Sequence, residues 1–176
     1  KVFAEKEITI SPKEVNATVS VSDRAYNGTK TAEVTATVDT GIAGQTLTIT
    51  GLTGTFADKN AGTGKIVAIN STNAVVTGGT GTNAGNYKVT YPATTTANIR
   101  AVALTVKVKD VEKHIGYEDP AFTYTITSGS LVDGETLSGI SYSRDAGETA
   151  GEYNITATET SGSNSNYVLT LQTGKL

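Results

Sequence analysis

The side chains of this chain best equipped for chemistry are carboxylates, and they crowd into its second half. Asp133, Glu135, Asp145, Glu148 and Glu152 follow one another closely. Calcium takes several carboxylate and carbonyl oxygens. Asp133, Glu135, Asp145 and Glu148 are therefore candidate calcium ligands, although no Asp-x-Asp-x-Asp-Gly loop is present. A solvated acidic edge that discourages strand-to-strand aggregation explains the same residues. Paired carboxylates also hydrolyse glycosides, but there is no tryptophan for a sugar platform and no sign of a deep cleft in units this small. His114 is the only histidine and cysteine is absent. A catalytic triad needs partners that the sequence does not place near it, so a surface or turn histidine is expected. Gly62-Thr-Gly-Lys65 invites a phosphate-loop reading, yet the earlier glycine of that loop falls on Lys59, and Ile66 follows where a hydroxyl is needed. A turn between strands is expected there. No catalytic set emerges, and an enzyme is not expected.

Other residues admit binding or cross-linking. Tyr87, Tyr91, Tyr124, Tyr142, Tyr153 and Tyr167 lie in alternating segments. They suit core and cross-strand packing, or else a tyrosine-lined carbohydrate face. Asn16, Asn27, Asn70 and Asn154 each begin a glycosylation sequon, a pattern that threonine-rich chains produce by chance. Lysine, asparagine and an acid can also self-link into an isopeptide bond where folding brings them together.

These side chains must be positioned by strands. Val102-Ala-Leu-Thr-Val-Lys-Val-Lys-Asp110 repeats the plan of Val15-Asn-Ala-Thr-Val-Ser-Val-Ser-Asp23, 87 positions earlier. Both alternate apolar and polar residues, the period of a strand with one buried face. Each should open a separate packed unit, since a strand cannot bury its face alone. The closing segments match as well, Asn86-Tyr87-Lys88-Val89-Thr90 with Asn166-Tyr167-Val168-Leu169-Thr170.

Between them, strands are expected at Val34–Val38, Thr46–Thr50, Ile66–Ile69 and Tyr87–Tyr91, then at Phe122–Thr127, Ile140–Tyr142, Tyr153–Ile155 and Tyr167–Leu171. Tyr26-Asn27-Gly28 is expected to make a tight hairpin. A short helical turn is expected over Leu131–Leu137, in the second unit. Residues 1–14 read as the end of a preceding repeat or a linker, with a strand at Glu7–Ser11; units follow at 15–100 and 101–176. The fold class is mainly β, two small tandem domains of β-sandwich or β-grasp-like form.

Bulk composition narrows the function. The net charge is −3, with nine basic against seven acidic residues up to Arg100 and five against ten beyond it. No basic stripe suits a phosphate backbone, so nucleic-acid binding is not expected. No apolar run approaches the roughly 20 residues that span a bilayer, so membrane insertion is not expected. No signal peptide is present, so the chain is expected to begin partway through a longer protein or after processing.

The ordered motifs resemble two known families. Tyr26-Asn27-Gly28-Thr29, Phe56–Lys65 and Asn83-Ala-Gly-Asn-Tyr87 resemble the YDG domain of large bacterial surface proteins, with Asn27 where that family's motif has Asp. Gly116–Ala121, Tyr124–Gly129, Leu131-Val-Asp-Gly-Glu135, Arg144-Asp-Ala-Gly147, Gly151-Glu-Tyr153 and Ser165-Asn-Tyr167 resemble the MBG domain of YGX type. His114-Ile115 stand where that family usually shows Tyr. The resemblance implies a module of a long, repetitive, secreted or surface-anchored adhesin of filamentous-haemagglutinin-like type. Its expected place is outside the cell and its expected partners are neighbouring repeats. Host or matrix glycans are the partners in an alternative reading, as a receptor module for mucin. The resemblance supplies no catalytic or ligand-binding residues.

Overall fold

A computed structural model describes residues 7–176. Sixteen strands run through them in chain order. The first ten are β1 (Lys13–Val21), β2 (Arg24–Ala25), β3 (Thr31–Ala32), β4 (Val34–Val38), β5 (Leu47–Thr50), β6 (Thr53–Phe56), β7 (Gly62–Asn70), β8 (Val75–Gly78), β9 (Tyr87–Thr90) and β10 (Thr94–Arg100). The rest are β11 (Val102–Val108), β12 (Tyr124–Ser128), β13 (Ile140–Arg144), β14 (Asn154–Glu159), β15 (Tyr167–Gln172) and β16 (Gly174–Lys175). A 3-10 turn spans Ala84–Asn86, where Asn83 Oδ1 accepts from Gly85 N. The fold is mainly β.

The chain forms two compact units, and neither is continuous in sequence. Among the described residues, the first holds 7–23, 30–58 and 64–98; the second holds 24–29, 59–63 and 99–176. Two short early segments thus belong to the second unit.

In the first unit β1 lies between β4, antiparallel, and β9, parallel. Alternation along β1 turns Val15, Ala17 and Val19 inward, each under a tenth exposed. The strands β7, β6 and β3 form a second sheet beside β10, and β5 pairs with β8. Phe56 and Val67 face each other in the β6–β7 register and are buried. Gly54 lets these layers close: a Cβ there would lie 2.6 Å from Val34 Cγ2 and 3.1 Å from Val67 Cγ1.

The second unit is built the same way. Its β11 lies between β12, antiparallel, and β15, parallel, while β13, β14 and β16 form a second three-stranded sheet. Val108 from one sheet and Ile155 and Ala157 from the other share a core, with Phe122, Ile140, Tyr142 and Leu171 packed around it. Two sheets with a common apolar interior make a sandwich.

Opening and closing strands pair in parallel in both units, which requires the intervening chain to cross over. The registers differ. Tyr87 lies opposite Lys13, whereas Tyr167 lies opposite Val102, the counterpart of Val15. The second closing strand is therefore slid by two residues. Two is the side-chain period of a strand, so both tyrosines keep the same face.

Several expectations are corrected. Glu7–Ser11 forms no strand; Ile8 and Ile10 are almost fully exposed, and alternation without a pairing partner does not hold an extended segment. Residues 1–6 of the expected linker lie outside the described residues. Gly62–Lys65 is the start of β7 rather than a turn, with Gly64 at φ +59° accommodating a local irregularity. Tyr26-Asn27-Gly28 does not close a hairpin from β1, because β1 pairs with β4 and the intervening residues make an excursion. Leu131–Leu137 contains a hydrogen-bonded turn and no helix. β6 and β8, not expected from the sequence, are short and glycine-containing, and β8 alternates weakly.

Candidate functional site

The best-organised polar cluster lies in the second unit, around the turn Leu131–Thr136. Gly134 takes φ +80°, and Glu135 N donates to Val132 O at 3.0 Å. This turn presents the Glu135 carboxylate to two tyrosines. Tyr167, on β15, donates its hydroxyl to Oε2 at 2.6 Å, and Tyr26 donates to Oε1. Lys59 Nζ stands 3.4 Å from Oε1. Val132 N donates to Tyr167 Oη at 3.0 Å, so that hydroxyl is held from both sides. The two rings meet edge to face, centroids 5.7 Å apart. A carboxylate accepting charge-assisted bonds from two hydroxyls is fixed in direction as well as charge.

Each ionisable group responds in the expected sense. Glu135 is held below the usual carboxylate range, first by the Tyr167 hydroxyl and then by that of Tyr26. Tyr26 is pushed up, mainly because its hydroxyl bonds the Glu135 carboxylate. Tyr167 is pushed up by burial first and by Glu135 second. Lys59 is raised, chiefly by its contact with Glu135.

The early segments are tied to the second unit by more than this carboxylate. Arg24 and Ala25 pair in parallel with Ile99 and Arg100, and Tyr26 N donates to Arg100 O at 2.8 Å. Ala61 N donates to Asn166 Oδ1 at 2.8 Å, and Asn166 Nδ2 to Asn60 Oδ1 at 3.2 Å. Within the 24–29 segment Asn27 Oδ1 accepts from Thr29 N, Thr29 Oγ1 and Arg24 Nη1. Gly28, at φ +74°, presses on Val132, where a Cβ would lie 2.8 Å from Cγ1.

The first unit carries a simpler version. Gly44-Gln45-Thr46-Leu47 matches Gly134-Glu135-Thr136-Leu137, with Gly44 at φ +77° and Gln45 N donating to Ile42 O at 3.1 Å. Tyr87 donates its hydroxyl to Gln45 Oε1, as Tyr167 does to Glu135. Sequence reasoning missed this motif. Its signal was the repeated Gly-x-Thr-Leu, 90 positions apart.

The four calcium candidates do not converge. Asp133 sits exposed at the turn. Glu135 receives the two tyrosines. Asp145 Oδ2 accepts from Asn154 N and Nδ2, at 3.1 and 2.8 Å. Glu148 bonds Lys113 Nζ at 2.8 Å and the Arg144 guanidinium. Among the described residues no three acidic or histidine side chains gather as metal ligands.

Arg144 and Lys113 also grip Asp119, at 2.6 and 2.7 Å, and hold its carboxyl down to about 2. This four-charge cluster borders an open groove of about 1200 Å³ lined by Asp110–Ile115, Gly147–Tyr153, Lys175 and Leu176. His114 is exposed beside Tyr117, their rings 6.1 Å apart. Lys175 and Asn154 pair across β16 and β14, with Lys175 Nζ 2.8 Å from Asn154 Oδ1, and Asn154 Nδ2 donates in turn to Asp145, just past β13. All three are exposed, so water competes with that amine–amide contact.

A model of the YDG domain matches residues 11–97, and one of the MBG domain (YGX type) matches residues 104–176. This chain is a YDG domain followed by an MBG domain. No curated protein and no solved structure matches it. In the YDG–MBG chain the Tyr26-Asn27-Gly28 motif lies within the YDG match yet packs in the second compact unit. Asn27 fills its place because its side-chain oxygen accepts the turn's hydrogen bonds, the same task an Asp oxygen performs. Most tyrosines of the YDG–MBG chain are drawn inward. Tyr26 and Tyr87 are buried, and Tyr91, Tyr124, Tyr142, Tyr153 and Tyr167 are half-buried; Tyr117, at 70%, is the strongly exposed one.

Proposed function

We propose that this YDG–MBG chain is a structural module in the stalk of a bacterial surface or secreted adhesin, working outside the cell without catalysis. It would extend and space the region that binds. The observation that carries this reading is the interlaced path of the chain. Residues 24–29 and 59–63 belong to the second compact unit although 30–58 and 64–98 belong to the first. A chain of two such related units suits a part that spaces, as repeats do in other arrays. The inward-facing tyrosines support the same reading, since a sugar platform needs aromatic faces free for stacking.

Among the described residues no helix is long and apolar enough to cross a membrane. The test is binding of the folded chain to mucin and to an array of host glycans, first with calcium and then with chelator. The expected result is no binding in either condition. Reproducible micromolar binding to one glycan class would replace the stalk reading with that of a receptor module. Chelator sensitivity would point to a cation held by the acidic second half of the chain.

A further inference from the structure

We propose that Glu135 is a capture point for a tyrosine–glycine loop, and that the MBG stretch is completed by the Tyr26–Thr29 loop seated on it. The two Gly-x-Thr-Leu turns share one arrangement. In each, the residue after glycine accepts the hydroxyl of the closing-strand tyrosine, Tyr87 on Gln45 and Tyr167 on Glu135. One position separates them, an amide against an acid. An amide offers one acceptor oxygen and two N–H donors, whereas a carboxylate offers two acceptor oxygens. The acid therefore holds its own tyrosine through Oε2 and keeps Oε1 for a second hydroxyl, which Tyr26 supplies.

The surroundings fit that visitor. Tyr26 is 3% exposed, its ring stands edge-on to Tyr167, and its amide bonds Arg100 O. Gly28 lies flush with Val132 where any side chain would collide. Lys59, beside Oε1, and Ala61, bonded to Asn166, bring the 59–63 segment to the same place. The partner that this surface fits is a loop with tyrosine at its first position and glycine two residues later. The inference rests on the reading of the chain as a structural module, but not on adhesion.

The test is hydrogen exchange on the full chain carrying Glu135→Gln, which reproduces the Gln45 arrangement, and Tyr26→Phe, which removes only a hydroxyl. Protection of the Tyr26 and Ala61 amides should fall at least about tenfold in each variant, while β11 and β14 amides keep theirs. The double variant should lose no more than the stronger single one, since both remove one interaction. Unchanged protection at Tyr26 and Ala61 in both single variants would overturn the capture. So would an equal loss throughout β11–β15, which would make Glu135 part of the unit's own framework. Either failure leaves the glycan experiment, and with it the stalk reading, untouched.

Discussion

At the residue scale, the chain places charge where hydroxyls and cations already wait. Glu135, Asp145 and Glu148 look alike in sequence, and with Asp133 they suggest a calcium site. Folding gives each a different partner set. Gly28 is a sharper case, because both its conformation and its surroundings exclude a side chain. Gly28→Ala should destabilise the second unit by about 1–2 kcal/mol for the left-handed backbone, with the collision against Val132 added to it. Urea unfolding followed by tyrosine fluorescence would measure the change, and a neutral substitution would contradict the packing described.

The pH response of Asp119 can be derived with its sign. Lys113 and Arg144 lower its folded pKa from 3.8 to about 2. A depressed carboxylate contributes stability that is present above the unfolded value and is lost as pH falls through the folded one. Stability should thus decline between about pH 4 and pH 2, and Asp119→Asn should flatten that part of the profile. The carboxylate is exposed, so the step should be modest and should shrink further in high salt. Unfolding midpoints measured across that range, with and without the substitution, test the assignment.

At the scale of elements, alternation was a reliable guide wherever one face is buried. The strands β1, β4, β11, β12 and β15 lie close to where the sequence puts them, and the inward residues of β1 and β11 are the repeated apolar ones. Alternation failed where pairing is made by distant chain. Glu7–Ser11 alternates well and pairs with no described strand, while β8 alternates poorly and β6 has a glycine at one of its two inward positions, yet both pair well. Position in the sheet should also set the cost of mutation. Ile155→Ala, at a fully buried site shared by two sheets, should cost about 2–5 kcal/mol. Val168→Thr, on the exposed face of β15, should stay within about 0.5 kcal/mol. Equal effects in denaturant unfolding would mean that the shared core is misassigned.

At the scale of the whole molecule, the compact units cut across the family matches. Residues 104–176 are matched as a domain, yet the second unit also takes in 24–29 and 59–63. A chain of residues 99–176 alone should therefore unfold at lower urea than the second unit of the full chain. Losing the buried Tyr26 ring by itself should cost on the order of 3–5 kcal/mol, as truncation of a buried aromatic does. Coincident midpoints would show that the early segments contribute nothing.

The division between sequence and structure follows from the range of the forces involved. Period-2 patterning, glycine at positive-φ turns and the absence of helical stripes are local, so the sequence by itself determined a mainly β chain of two related units. The ordered motifs were enough to identify a YDG domain and an MBG domain. The parallel pairing of opening with closing strands, the two-residue slip between units and the seat at Glu135 join residues scores of positions apart. Tyr26 and Glu135 carry no local mark of each other, because a hydrogen bond depends on distance in space. Only the tertiary structure decided that Tyr26, Tyr167 and Lys59 meet at that carboxylate.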